Sequence, residues 1–175
     1  MIERFVPDVF SQSIYRIDYK ALKDRGIELL IFDLDNTIAP ITESEPSKEA
    51  INLMFELKDM GFRCILMTNS GKKRTEIFRN KLEIDTCAKA RKPFKKKYKK
   101  ILRLYNKEPE KVAAIGDQLL TDILGANNLG IVSILVHPIC KKDYFFTSFF
   151  NRKVEKKLFD KMEKKGVFKR GKYYE

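Results

Sequence analysis

Two observations predict an α/β domain with a mostly parallel sheet. Short apolar runs recur along the chain, each ending in polar residues, and segments of helical periodicity lie between them. The length of 175 residues fits one domain, and an apolar share of 43% supports a packed core over disorder. Runs dense in Val, Ile and Leu suit strands buried on both faces.

The elements follow in order. ELLIFD, residues 28–33, is the first such strand and ends in acid. Pro46 can open a helix in its first turn, and Ala50, Leu53, Met54, Leu57 and Met60 then repeat at helical spacing before Gly61. FRCILM, residues 62–67, is the second strand and ends at Thr68-Asn69, with a helix starting near Gly71. A short strand lies near Ile84 to Cys87. Phe94, Tyr98, Ile101, Leu102 and Tyr105 make the next stripe after Pro93. VAAI, residues 112–115, ends at Gly116-Asp117, and IVSILV, residues 131–136, ends at His137-Pro138. Val154, Leu158 and Met162 form a last stripe that Gly166 can stop. The whole chain reads as a single domain over 1–175. Its core spans about 26–140, and 141–175 is an aromatic and basic extension.

Charge is concentrated rather than spread. The chain holds 36 Lys plus Arg against 24 Asp plus Glu, a net of +12. Residues 89–100, KARKPFKKKYKK, and residues 151–175 carry the excess, so the rest of the chain is near neutral. Such clusters point to nucleic acid, an anionic membrane or a phosphorylated ligand, and equally describe a solubilising face. No apolar run is long enough to span a membrane. MIERFVPDVF lacks the apolar stretch of a secretory signal, and three cysteines without a CxxC pair read as reduced thiols, so a cytoplasmic location is expected. A single histidine, His137, rules out a cluster of His metal ligands and reads as a structural residue at a strand end.

In sheets of this class the ligand sits beyond the carboxyl ends of the strands. Asp33, Thr68 and Asp117 all fall there. Asp33 and Asp35, in DLDNT, face the same side if the chain stays extended. Adjacent carboxylates repel, which calls for a cation, and an oxygen-only donor set favours Mg2+ over zinc. One carboxylate could attack phosphorus while the other moves protons. A DxD alone equally fits a surface turn or a metal-dependent sugar transferase. Thr68-Asn69-Ser70 before a helix can hold a phosphate oxygen, or simply cap the helix. Lys92 can neutralise a phosphoryl group, or be one more solvated lysine. Asp117 can complete a metal site, and Asp122 follows one turn into the next helix.

Together, in this order, these segments resemble the haloacid dehalogenase (HAD) phosphohydrolases. DLDNT matches motif I, LMTNS motif II, RKP motif III and GDQLLTD motif IV. The resemblance implies a HAD-like (Rossmannoid) three-layer sandwich. It implies Asp33 as nucleophile, Asp35 as general acid/base, and Thr68, Asn69 and Lys92 around the phosphate. It also implies Mg2+ held by Asp33, Asp117 and the backbone carbonyl of Asp35, with Asp122 orienting the metal's surroundings. Lys89 is the rival to Lys92, and the Lys-Pro pair favours Lys92. Neither residues 38–47 nor the stretch before Lys92 can hold a cap domain, so an open site is expected.

By DLDNTI, AKARKP, GDQLLTDILGAN and the strand ending ILVHPI, the chain looks, among capless members, like the YqeG-type proteins, which are similar to phosphatidylglycerophosphate phosphatases. That resemblance implies a lipid phosphomonoester as substrate. An anionic membrane surface would be met through 89–100 and 144–172, placing the protein peripherally on the inner face of the membrane. Tyr144 to Phe150 then reads either as a membrane anchor or as cover for the sheet. The competing readings are a HAD phosphatase acting on nucleic-acid ends or phosphoprotein, and a non-catalytic binding protein.

Overall fold

A computed structural model of the chain describes residues 2–140 and 145–174, and for 145–152 the backbone alone. Among these residues six parallel strands form one sheet: β1 Val9–Ser11, β2 Leu29–Phe32, β3 Arg63–Met67, β4 Asp85–Cys87, β5 Val112–Gly116 and β6 Val132–Val136. Their order is β1-β6-β5-β2-β3-β4. The chain runs outward from β2 through β3 to β4, then crosses back to β5 on the other side of β2. This reversal between β2 and β5 opens a crevice at the carboxyl end of the sheet.

Side-chain alternation divides the core. Leu30 and Phe32 join Met54, Leu57 and Phe78 on one face, while Leu29 and Ile31 join Tyr98, Ile101 and Ala126 on the other. Helices cover both faces, which makes three layers. They are α1 Tyr19–Asp24, α2 Lys48–Asp59, α3 Lys72–Leu82, α4 Lys95–Tyr105, α5 Leu124–Asn127 and α6 Phe145–Lys164. α2 begins at Lys48, later than Pro46, because the Ser47 hydroxyl accepts from the Ala50 N–H and caps it. Met60, expected on its inner stripe, is 39% exposed past the last turn. Residues 38–47 form a short loop, and only a few residues join β4 to α4, so neither gap holds a cap.

β1 lies ahead of the strands read from apolar runs. Three residues are too few for a pattern, yet all are buried against β6. The tail returns to it: the Phe10 and Tyr174 backbones exchange hydrogen bonds of 2.9 Å, covering the open edge of the sheet. Leu158, Phe159, Met162 and Phe168 pack with Ile2, Phe10, Leu119 and Ile123. The stripe predicted after residue 151 therefore faces the domain at Leu158 and Met162. The Tyr144 to Phe150 cluster lies outside the described side chains. No described helix is long and apolar enough to cross a membrane.

Candidate active site

The loops after β2, β3, β4 and β5 meet at one end of the sheet. Asp33 continues the β2 ladder, its N–H donating to the Ile115 carbonyl at 2.9 Å. Asn36, at φ 62°, then turns the chain, and its N–H donates to the Ala39 carbonyl at 2.8 Å. The β4–α4 loop is laced onto the end of β3. Ala90 N–H donates to the Thr68 carbonyl at 2.9 Å, Lys89 N–H to the Ser70 carbonyl at 3.0 Å, and Lys92 N–H to Asn69 Oδ1 at 2.8 Å. Asn69 therefore directs its amide at the Lys92 backbone. Thr68 is buried, and its hydroxyl accepts from the Ser70 N–H at 3.1 Å.

This lacing carries Lys92 inward while Lys89 stays exposed. Lys92 is 7% exposed, and its ammonium donates to Asp33 Oδ1 and Asp122 Oδ1, each at 2.5 Å. Asp122 also accepts from the Gln118 N–H at 3.2 Å and the Thr121 hydroxyl at 3.3 Å. It reaches this place because Leu119–Ile123 is a π-helical turn and because residue 116 is glycine. A Cβ on Gly116 would stand 2.2 Å from Asp122 Cγ. Below, Tyr98 is fully buried against Gly125, where a Cβ would meet the ring at 2.8 Å.

Asp33, Asp117 and Asp122 each offer an oxygen within 4.8 Å of the others. Burial, opposed by Lys92 and reinforced by Asp122, pushes the Asp33 carboxyl up to about 7. Burial, Asp33, Asp122 and Glu155 push Asp117 well above the usual carboxylate range. The Asp122 and Asp33 charges raise the Lys92 ammonium against its burial, so it stays protonated. With all three ionised, the carboxylates against one ammonium leave two negative charges, the deficit a divalent cation matches. The all-oxygen donor set fits a hard ion.

Asp35 is not part of that trio. Its Oδ1 accepts from Arg74 Nε at 2.9 Å, and its Oδ2 accepts from the Ser70 hydroxyl. The two DxD carboxylates thus do not share one counterion as extended geometry suggested, because Arg74 on α3 supplies Asp35's partner. Sequence reasoning missed Arg74, and it named Ser70 within the Thr68-Asn69-Ser70 turn without its bond to Asp35. Arg74 sits in a Lys72-Lys73-Arg74 run whose members look alike until α3 is placed.

The rim is basic. Phe94, expected on the inner stripe of α4, sits just ahead of that helix's first turn and is 70% exposed, between exposed Arg91, Lys95 and Lys96. His137 at the end of β6 packs its ring on Phe10 and Tyr173 at 5.4 and 5.6 Å.

Comparison with known proteins points to one family and one fold. A HAD-hydrolase-like family model matches residues 89–138. The probable phosphatase YqeG of Bacillus subtilis (strain 168) is 36% identical over 162 residues, 93% of this chain and 94% of that protein. Two solved structures share the fold. One is an uncharacterized protein from Listeria monocytogenes serotype 4b (TM-score 0.54, 17% identity, 69% of this chain and 85% of that one). The other is the cobalt-bound deoxy-D-mannose-octulosonate 8-phosphate phosphatase of Haemophilus influenzae (TM-score 0.53, 13% identity, 82% and 94%).

Proposed function

The chain belongs to the YqeG group of HAD-family phosphatases, and on that premise we propose that it dephosphorylates phosphatidylglycerophosphate at an anionic membrane surface. The gathering of Asp33, Asp117, Asp122 and Lys92 at the strand ends carries the catalytic part of this reading.

Asp33 attacks phosphorus. The Asp33 O–P bond forms as the P–O bond to the alcohol breaks, and the Asp35 carboxyl gives its proton to the departing oxygen. Asp35 then takes a proton from water, whose oxygen attacks phosphorus and frees Asp33 and phosphate. Lys92 opposes the charge on the phosphoryl oxygens, and Thr68 holds one of them by its hydroxyl and the helix N-terminus beyond. Asn69 serves the phosphate by fixing the Lys92 loop. Asp33, Asp117 and the Asp35 carbonyl would hold Mg2+, with Asp122 beside them. That ion, when bound, supplies positive charge to the phosphoryl oxygens.

Exposed Phe94 among lysines beside an uncapped site supports a substrate presented by a bilayer. The same lysines suit phosphorylated nucleic-acid ends, the second reading. Asp33→Asn should abolish Mg2+-dependent phosphate release without unfolding the protein. Residual activity above about a hundredth of wild type would sink Asp33 as nucleophile. Phosphate release from phosphatidylglycerophosphate in vesicles should exceed that from soluble phosphomonoesters and a 3′-phosphorylated oligonucleotide. Parity among the three removes the lipid claim.

A further inference from the structure

We propose that Arg74 is a positioning residue for proton transfer, locking the Asp35 carboxylate against the Pro40–Glu43 loop. This rests on the reading of Asp35 as the general acid/base.

The geometry is that of a clamp. Arg74 stands in the first turn of α3, 16% exposed at its side chain, with Asp35 at 18%. Its Nε donates to Asp35 Oδ1 at 2.9 Å. One terminal nitrogen donates to the Pro40 carbonyl at 3.2 Å, and the other to the Glu43 carbonyl. The guanidinium lies over the Phe78 ring at 5.0 Å, and Phe78 is fully buried. Ser70 takes the second Asp35 oxygen. Both carboxylate oxygens are thus held, and one planar cation ties them to the Pro40–Glu43 loop. In a site with no cap to close over it, the proton-transfer group cannot be brought into line by domain closure. Its orientation has to be built into the open form, and a guanidinium anchored on a buried ring does this. A lysine could reach Asp35 but could not also fork to the two carbonyls.

The step at stake is protonation of the alcohol oxygen as its bond to phosphorus breaks. An acidic phenol leaves with little help; an alkyl alcohol needs the proton. The experiment compares wild type, Arg74→Ala, Arg74→Lys and Asp35→Asn as full chains with Mg2+. The substrates are p-nitrophenyl phosphate and butyl phosphate, and the readout is kcat/KM, which reports phosphorylation of Asp33.

The alkyl-to-aryl ratio should fall about tenfold or more in Arg74→Ala, less in Arg74→Lys, and most in Asp35→Asn. A merely structural role would lower both substrates together. If Asp35→Asn shifts the ratio and Arg74→Ala does not, Arg74 has no positioning role and the Asp35 reading stands. If Asp35→Asn leaves the ratio unchanged, the Asp35 reading falls and takes this proposal with it. Should Arg74→Ala fail to fold, Arg74→Lys decides: a ratio equal to wild type overturns the proposal.

Discussion

Replacing Lys92 by methionine removes the ammonium that bridges Asp33 and Asp122. Its side chain is 3% exposed, and those of its partners are 10% and 4%, so water cannot take its place. Breaking a buried pair by deleting one partner costs about 3–5 kcal/mol. In a chain of this length each kcal/mol lowers the thermal midpoint by about 2–4 °C, so metal-free Lys92→Met should melt about 6–20 °C below wild type near pH 8. The loss depends on pH in a defined direction. Asp33 is already raised to about 7 with Lys92 present, and the substitution raises it further. A carboxyl whose folded value lies above its unfolded one stabilises fully below the unfolded value, and that stability is lost as pH rises through the folded value. The gap between variant and wild type should therefore be small near pH 5, where Asp33 and Asp117 take up protons, and widest near pH 8. Added Mg2+ should narrow it. Scanning calorimetry of both proteins in chelator, at pH 5 and pH 8, measures it. Equal gaps at the two pH values, or none at pH 8, would refute the bridging role.

Three further outcomes are expected. Gly116→Ala forces Asp122 out of the trio, since the new Cβ would stand 2.2 Å from its carboxyl carbon. Calorimetric titration should show Mg2+ affinity down by about tenfold or more, and wild-type affinity would contradict the placement of Asp122. Burial pushes the Cys64 thiol up to about 12, so at pH 8 it should resist iodoacetamide in the folded protein and react fully in denaturant. Labelling of Cys64 at equal rates in both, read by mass spectrometry, would show that strand β3 is open to solvent. Phe94→Ser should weaken flotation with anionic vesicles by about tenfold, the scale of one buried aromatic, and undiminished binding would move the contact elsewhere.

Much of the fold is legible because it is local. The apolar runs at ELLIFD, FRCILM, VAAI and IVSILV become β2, β3, β5 and β6, since a strand buried on both faces must be apolar at successive positions. β1 is not legible. Val9–Ser11 is strand only because β6 and Tyr174 lie on either side of it. Spacing alone places Phe94 inside. Its place ahead of the first turn of α4 turns it to water, where periodicity no longer holds. A truncation after Pro138, made to test Tyr144 to Phe150 as a membrane anchor, would also remove Met162 and Phe168 from the core.

The candidate site divides along the same line. The identities and order of Asp33, Asp35, Thr68, Lys92, Asp117 and Asp122 stand in the sequence, since each follows a strand or opens a helix. Sequence alone therefore determined an α/β phosphatase frame and the residues at its mouth. Which of those residues share a site was decided by tertiary structure. Lys92 lies between Asp33 and Asp122 because Asn69 draws its loop inward. Asp35 faces Arg74, 39 residues away, rather than its neighbour in the DxD. Charge pairing depends on distance in space, and spacing along the chain reports that distance only within one helix or strand.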